Sequence, residues 1–272
     1  MSSFPVTNEE VDQAIGLIAE SCPEHDVASL HRNWVKLVIS QPNSKNLKER
    51  RTISYAADKI VNYLKWREQL NISKILQNTS NRFKSDLVEQ CFYVYGVDKL
   101  NRPIIWERFD NLDWNNLNPK SKIEFIVCLY ESIFPLLFDS PDSSPQVTII
   151  AVSDRISYLN AMRQLPFIKS IAQMFITGFP DRLARFLALT STIMSGVMAI
   201  MAPLLPRSLK TKLEFFTRKK MVQHLTENVL KNGLEDLPDF FGGPLVHPRF
   251  ETFSAMISEL ESCLSATPPL SR

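Results

Sequence analysis

The sequence predicts an α/β domain with a parallel or mixed sheet, preceded by a helical N-terminal lobe. Apolar residues recur at helical spacing through roughly the first 80 residues. From Cys91 onward, short runs rich in aromatic and β-branched residues alternate with helical segments. Strands that alternate with helices are typical of α/β folds, in which helices cover a sheet.

Three amphipathic segments make up the predicted lobe. The first has one apolar face over residues 11–18, and the second over residues 30–38. The third covers residues 53–66, and Asn71 marks its expected end.

The strand signals begin with two runs at 92–95 and 104–106, on either side of a turn that ends in Pro103. Residues 147–152 form a continuous apolar run, which is typical of a strand buried on both faces. A further short apolar run that fits a buried strand covers residues 185–190. Helices are predicted around these strands, from Pro119 to Pro135, at 158–175, at 221–230 and in the tail at 253–264.

Composition gives no global bias in charge. The chain has 272 residues, with 31 Lys+Arg against 29 Asp+Glu, so its net charge of +2 gives no case for a nucleic-acid partner. Four scattered cysteines without metal-ligand spacing indicate free thiols in a reducing compartment. The sequence shows no secretory signal or lipidation motif. We therefore expect a cytoplasmic monomer that visits intracellular membranes only transiently, as a peripheral protein.

The least polar stretch of the chain runs from Phe186 to Leu205 and contains no charged residue. Its length is about that of a bilayer-spanning helix. Ser and Thr residues at 190–192 interrupt it, however, and such residues are typical of the start of a helix. We therefore predict a short strand before this point and a helix from Thr192 to Leu204.

The predicted helix has no charged face, and two interpretations fit this pattern. Its apolar stripes consist of Ile193, Val197 and Ile200, and of Met194, Met198 and Met201. In the first interpretation the helix is central to the core. In the second it is a mobile wall between an apolar cavity and a lipid surface, because unbranched thioethers adapt to flexible chains.

Basic residues follow this helix directly, at Arg207, Lys210, Lys212, Arg218, Lys219 and Lys220. Such a cluster beside an apolar element is typical of proteins that bind an anionic membrane surface or a phosphate. A solvated basic face is the alternative.

Catalytic motifs are missing from the sequence. It contains no G-x-S-x-G nucleophile motif, no G-x-x-x-x-G-K-[ST] phosphate loop and no G-x-G-x-x-G fingerprint. The four histidines lie apart and fit no metal-binding pattern. The sequence therefore predicts neither an enzyme nor a metal site.

Five short motifs occur in an order that resembles one family. They are AADKIVNYLKWRE, YGVDKLNRPIIWERFDNLD, GFPDRL, PLLPRSLKTKLEFF and LPDFFGGP. Together they resemble the CRAL-TRIO lipid-binding domain of phosphatidylinositol/phosphatidylcholine transfer proteins, over residues 30–248. The resemblance implies a sheet floor, a helical wall and a gate helix at residues 192–204, which enclose one lipid.

The resemblance also implies which residues bind the ligand. In phosphatidylinositol-binding members an acid and a lysine hold the inositol phosphate, and they correspond to Asp181 and Lys212. The expected head-group set is Asp181, Arg182, Ser208, Thr211 and Lys212. The expected cavity and gate set is Ile193, Met194, Val197, Met198, Ile200 and Met201.

This sequence departs from the family pattern at several positions. Asn101 replaces a turn glycine, and Leu209 replaces a threonine near the lysine. The segment SQPNSKNLKERR, at residues 40–51, replaces an arginine-rich segment. Only Thr148 or Ser153 could supply the strand hydroxyls that hold a choline-lipid phosphate. Phosphatidylinositol is therefore favoured over phosphatidylcholine.

The predicted function is lipid binding and transfer, with one bound phospholipid and no other cofactor. The predicted units are an N-terminal helical lobe at 1–85, the lipid-binding domain at 86–248, and a C-terminal amphipathic helix and tail at 249–272. Two alternatives stay open. One is a carrier of an apolar small lipid such as a tocopherol, retinoid or sterol, in which Asp181 and Lys212 form a structural ion pair. The other is a lipid sensor or scaffold that transfers nothing.

Overall fold

The computed structural model describes residues 4–27, 30–43, 46, 48–77, 91–111, 119–139, 145–154, 159, 162, 165–191, 207–246, 250 and 253–265. The gate helix expected from Thr192 to Leu204 lies outside these residues.

The centre of the fold is a five-stranded sheet in the order β1-β2-β3-β4-β5. Its strands are β1 (Phe92–Val97), β2 (Pro103–Arg108), β3 (Val147–Ser153), β4 (Leu183–Thr190) and β5 (Leu213–Phe216). β1 and β2 are antiparallel, and every later pair of neighbours is parallel. The predicted mixed sheet is therefore confirmed. β5 has no counterpart among the predicted strands, because its 4 residues are too few to show a period.

Helices precede the sheet and connect its strands. They are α1 (Asn8–Ser21), α2 (Arg32–Ser40), α3 (Ile53–Gln69), α4 (Ile72–Gln77), α5 (Pro119–Asp139), α6 (Leu165–Gln173), α7 (Arg207–Lys210), α8 (Arg218–His224) and α9 (Phe253–Ser265). α6 and α8 continue into π-helical turns at Met174–Gly178 and Leu225–Val229. The predicted helical lobe is confirmed, and α5 continues past Pro135. Among the helices that the structure describes, none is both long enough and apolar enough to cross a bilayer.

The two faces of the sheet are covered by different parts of the chain. On one face, Trp106 of β2 contacts Phe240, with ring centroids 5.8 Å apart. On the other face, Phe92 of β1 contacts Phe125 of α5, with centroids 5.6 Å apart. Glu107 is the register partner of Phe92, and opposite residues of an antiparallel pair share a face. We call this second face the α5 face of the sheet.

The helical lobe packs on the rest of the chain through aromatic side chains. Trp66 of α3 lies 5.5 Å from the ring centroid of Phe179. A Cβ on Gly178 would lie 2.5 Å from the same indole, so only glycine allows this approach. One hydrophobic cluster contains buried residues of both the lobe and the sheet. The unit boundary expected near residue 85 stays a prediction.

The LPDFFGGP motif forms a turn in which its two glycines have different roles. Gly242 has a left-handed φ of 85°, and a Cβ there would meet nothing within 4 Å. A Cβ on Gly243 would instead lie 2.0 Å from the carbonyl oxygen of Leu237. Backbone conformation therefore requires glycine at the first position, and lack of space requires it at the second.

We expect Gly243→Ala to lower the free energy of unfolding more than Gly242→Ala does. An L-residue in the left-handed region costs about 1–2 kcal/mol, which is the loss expected at Gly242. At Gly243 the added methyl group must displace the main chain of Leu237, so the loss should exceed that range. Urea denaturation measures both values, and equal losses would contradict the close approach at Gly243.

Candidate lipid head-group site

Asp181 lies in the turn before β4, where it has a left-handed φ of 63°. Asp adopts this conformation more readily than most residues do. Its buried carboxylate forms a bidentate ion pair with Arg51, which lies two residues before α3. Asp181 Oδ1 accepts a hydrogen bond from Arg51 Nη2 at 3.0 Å, and Oδ2 accepts a second one from Nη1. Arg51 belongs to the segment that departs from the family pattern, yet it is the main partner of the expected head-group acid.

Burial and Arg51 act on Asp181 in opposite directions. Burial raises the pKa of a carboxyl group, because the charged form loses its solvation. The charge and hydrogen bonds of Arg51 more than offset this, so the pKa of Asp181 lies below its ordinary value. The carboxylate is therefore ionised at neutral pH, and the guanidinium beside it balances its charge.

Lys212 lies in the turn that leads into β5. Its ammonium group donates a hydrogen bond to the backbone oxygen of Leu183 at 2.6 Å. Burial lowers the pKa of Lys212, and the nearby charge of Asp181 acts against this effect. Among the described residues, the ion-pair partner of Asp181 is nevertheless Arg51 rather than Lys212.

Asp181 and Lys212 line the same cavity, which has a volume of about 150 Å³. Tyr55 and Lys59 of α3 also line it. The apolar part of the lining consists of Phe175, Ile176, Phe179, Pro180, Leu183 and Leu209. The cavity thus combines two ammonium groups, a phenol and a carboxylate with apolar walls.

Arg51, Tyr55 and Lys59 were not among the expected site residues. Tyr55 and Lys59 are four residues apart on α3 and so lie on one side of the helix, and Arg51 lies four residues before Tyr55, ahead of the helix. The ring centroid of Tyr55 is 6.0 Å from the Arg51 guanidinium carbon and 5.8 Å from the Lys59 ammonium nitrogen. The spacing of four was the only signal in the sequence that could have grouped them.

Arg182, another expected head-group residue, lies away from this cavity. Its guanidinium carbon is 4.3 Å from the ring centroids of Trp34 and of Phe134. Only 4% of the residue is exposed, and burial lowers the pKa of Arg182 to about 10. Arg182 therefore packs between the lobe and α5 and does not line the cavity of Asp181 and Lys212.

The other expected residues are only partly within the described residues. Thr211 is exposed and lines a larger groove of about 1120 Å³, which Lys212 also lines. The side chain of Ser208 lies outside the described residues. The same is true of the whole cavity and gate set, Ile193, Met194, Val197, Met198, Ile200 and Met201.

The two hydroxyls considered for a choline-lipid phosphate both donate to protein oxygens. Thr148 Oγ1 donates to Asp98 Oδ2 at 2.7 Å. Ser153 Oγ donates to the backbone oxygen of Leu189 at 2.9 Å. In this structure, neither hydroxyl has a proton left for a lipid phosphate.

Comparison with known proteins identifies the fold family. The family model described as CRAL/TRIO domain matches residues 87–243, which is more than half of the chain. The chain belongs to the CRAL/TRIO domain family. Proteins of this family are lipid-binding carriers rather than enzymes, so lipid binding is the general function of this chain.

A solved structure agrees with this assignment. The crystal structure of Sfh5 superposes on this CRAL/TRIO protein with a TM-score of 0.61 at 14% identity. The alignment covers 96% of this chain and 100% of that chain. At this identity the likeness shows the fold alone. No curated protein sequence is similar enough to match this CRAL/TRIO chain.

We expect Arg51→Met to lower the free energy of unfolding by about 3–5 kcal/mol, because it leaves the Asp181 carboxylate buried without its counter-ion. Adding Asp181→Asn should recover much of the loss, since Asn also tolerates the left-handed turn and carries no charge. Urea denaturation of the single and double variants measures both effects.

Arg50→Met is the matched control for this experiment. Arg50 precedes Arg51 and pairs with Glu10 in a more exposed position, so its loss should be much smaller. If the double variant is no more stable than Arg51→Met alone, the uncompensated charge of Asp181 is not the cause of the loss.

Proposed function

We propose that this CRAL/TRIO protein binds one phosphatidylinositol molecule and exchanges it at membrane surfaces. The observation that carries the proposal is the small cavity lined by Lys59, Lys212 and Asp181. Ammonium groups complement a phosphate, and a carboxylate accepts hydrogen bonds from hydroxyl groups. An inositol phosphate head group offers both partners in one ligand.

The balance of charge around the cavity supports an anionic ligand. Arg51 compensates the charge of Asp181, so Lys59 and Lys212 supply the remaining positive charge. A carboxylate has about four lone-pair positions, so Asp181 can accept from an inositol hydroxyl while it stays bound to Arg51. Burial favours the neutral form of Lys212, and a bound phosphate would favour its charged form.

Exposed basic residues support contact with a membrane. They lie on α7 and α8, at Arg207, Lys210, Lys219 and Lys220. Phe215 of β5, between these two helices in the chain, is 42% exposed. Lysine and arginine side chains are attracted to anionic leaflets, and an exposed aromatic ring can enter the interface. We expect a cytoplasmic monomer that makes this contact transiently.

A carrier of an apolar small lipid is the second candidate. The bonds from Arg51 to Asp181 and from Lys212 to Leu183 form without any head group, as they would in such a carrier. Mass spectrometry of lipid that co-purifies with the full-length protein separates the candidates. Phosphatidylinositol in the extract would support our proposal, and a tocopherol, retinoid or sterol without phospholipid would contradict it.

We expect Lys212→Ala to weaken binding of phosphatidylinositol by about 1.5–3 kcal/mol, the range of a hydrogen bond to a charged group. Lys210→Ala is the matched control, because Lys210 is an exposed lysine of α7 that does not line the cavity. Uptake of labelled lipid from vesicles measures the difference. An equal loss for phosphatidylinositol and for diacylglycerol would show that Lys212 does not recognise the phosphate.

We also propose that residues 192–204 form the gate of the cavity. A charge placed on this predicted apolar helix would enter either the cavity or the bilayer, and both are costly. Val197→Asp and Met201→Asp should therefore abolish vesicle-to-vesicle transfer with a smaller loss of thermal stability than a core charge causes.

Hydrogen exchange provides an independent measurement of the gate. Amides of residues 192–204 should exchange faster than those of residues 147–152, because a lid must open and the centre of the sheet need not. If both segments exchange equally slowly and the Asp variants still transfer lipid, residues 192–204 belong to the static core and do not form a gate. A protein that binds phosphatidylinositol without transferring it would be the sensor or scaffold instead.

A further inference from the structure

A carboxyl group and a phenol are buried in the core and do not line the head-group cavity. Glu107 is 2% exposed and Tyr130 is 0% exposed. Within the part of the chain that the structure describes, neither Glu107 Oε2 nor Tyr130 Oη has a hydrogen-bond partner. A buried polar group that lacks a partner costs free energy. Two such groups close together therefore point to a ligand atom that bonds to both.

The strand register places Glu107 on the α5 face of the sheet. It lies opposite Phe92 of β1 and beside Ala151 of β3, and both of these neighbours are apolar. Phe92 contacts Phe125 of α5, the helix that also carries Tyr130. Burial, and after it the charge of Glu107, raises the pKa of Tyr130, which supports placing the two groups in the same part of the core.

The chemistry of this pair is that of neutral groups. Burial raises the pKa of Glu107 to about 8, so its carboxyl group is mostly protonated at neutral pH. A protonated carboxyl and a phenol each offer one O–H donor, together with oxygen acceptors. No positive side chain contributes to the pKa of Glu107, so a phosphate would find no counter-charge from it there. An uncharged oxygen atom fits the pair best.

We infer that Glu107 and Tyr130 bind an uncharged oxygen atom of the lipid that this CRAL/TRIO protein encloses. The inference rests on the proposed function, because it requires a lipid inside the fold. It adds a second polar contact to that function, since neither Glu107 nor Tyr130 lines the cavity of Asp181 and Lys212. The oxygen can come from an ester carbonyl of a phospholipid or from the hydroxyl of a sterol-like lipid.

Three substitutions separate the contributions of charge and hydrogen bonding. Glu107→Gln keeps a donor and an acceptor but cannot ionise, and Glu107→Leu removes both. Tyr130→Phe removes only the hydroxyl. All three variants should fold, because Glu107 Oε2 and Tyr130 Oη have no hydrogen-bond partner to lose among the described residues. Melting temperatures of the full-length proteins check this before any binding measurement.

Two pairs of labelled lipids in vesicles identify the oxygen. The first pair is diacyl phosphatidylinositol and its dialkyl ether analogue, which lacks the carbonyls. The second is cholesterol and 5-cholestene, which lacks the hydroxyl. In one pair, the native protein and Glu107→Gln should take up the oxygen-bearing lipid about tenfold better than its analogue. Glu107→Leu and Tyr130→Phe should lose this preference. The lipid pair in which the native protein shows the preference identifies the oxygen as an ester carbonyl or as a hydroxyl.

Other outcomes would overturn the inference. It fails if the native protein has no preference within either pair, or if Glu107→Leu and Tyr130→Phe keep the native preference. It also fails if Glu107→Gln loses the preference as fully as Glu107→Leu, because a negative charge would then be the essential feature. In each of these cases, binding of phosphatidylinositol that depends on Lys212 would leave the proposed function intact. Failure of the native protein to bind phosphatidylinositol would reject the proposed function itself.

Discussion

The buried ion pair between Arg51 and Asp181 fixes the helical lobe against the turn that precedes β4. Two desolvated charges contribute little net stability, but separating them is costly. Such a pair therefore favours one relative position of the two parts of the chain. That position brings Tyr55 and Lys59 of α3 to the cavity that Asp181 and Lys212 line. The candidate site thus depends on a contact between the lobe and the lipid-binding domain, and not on the domain alone.

Local sequence patterns predicted the elements that the core requires. Residues 147–152 read as a buried strand, and all of β3 is buried. Asn101 was expected to tolerate a turn conformation in place of glycine, and it has a left-handed φ of 55°. β5 escaped prediction because short edge strands have no measurable period. Most of the fold could therefore be predicted, because helices and strands are specified by neighbours along the chain.

The candidate site was less predictable, because it joins residues that are far apart in the sequence. The motifs grouped Asp181 and Lys212, and these two residues line one cavity, but their role in binding a head group stays a prediction. They placed Arg182 with them, but the chain turns at Asp181, and Arg182 packs between aromatic rings instead. Arg51 carries no motif, and Lys59 belongs to a motif to which no site role was given, so only the folded structure shows that they reach the cavity or its acid. Glu107 was part of a motif, yet its burial without a partner cannot be read from the residues around it.

The separation of Arg51 from Asp181 has a consequence for how the protein is made. The two residues are 130 positions apart, so Arg51 leaves the ribosome long before its partner is synthesised. At about 5–20 residues per second, the delay is roughly 6–26 s. The lobe can form its own helices during this time, but its final orientation must wait for β4. In nascent chains that end before Asp181, Arg51 should therefore remain solvated. The lobe of such chains should be accessible to chaperones and proteases.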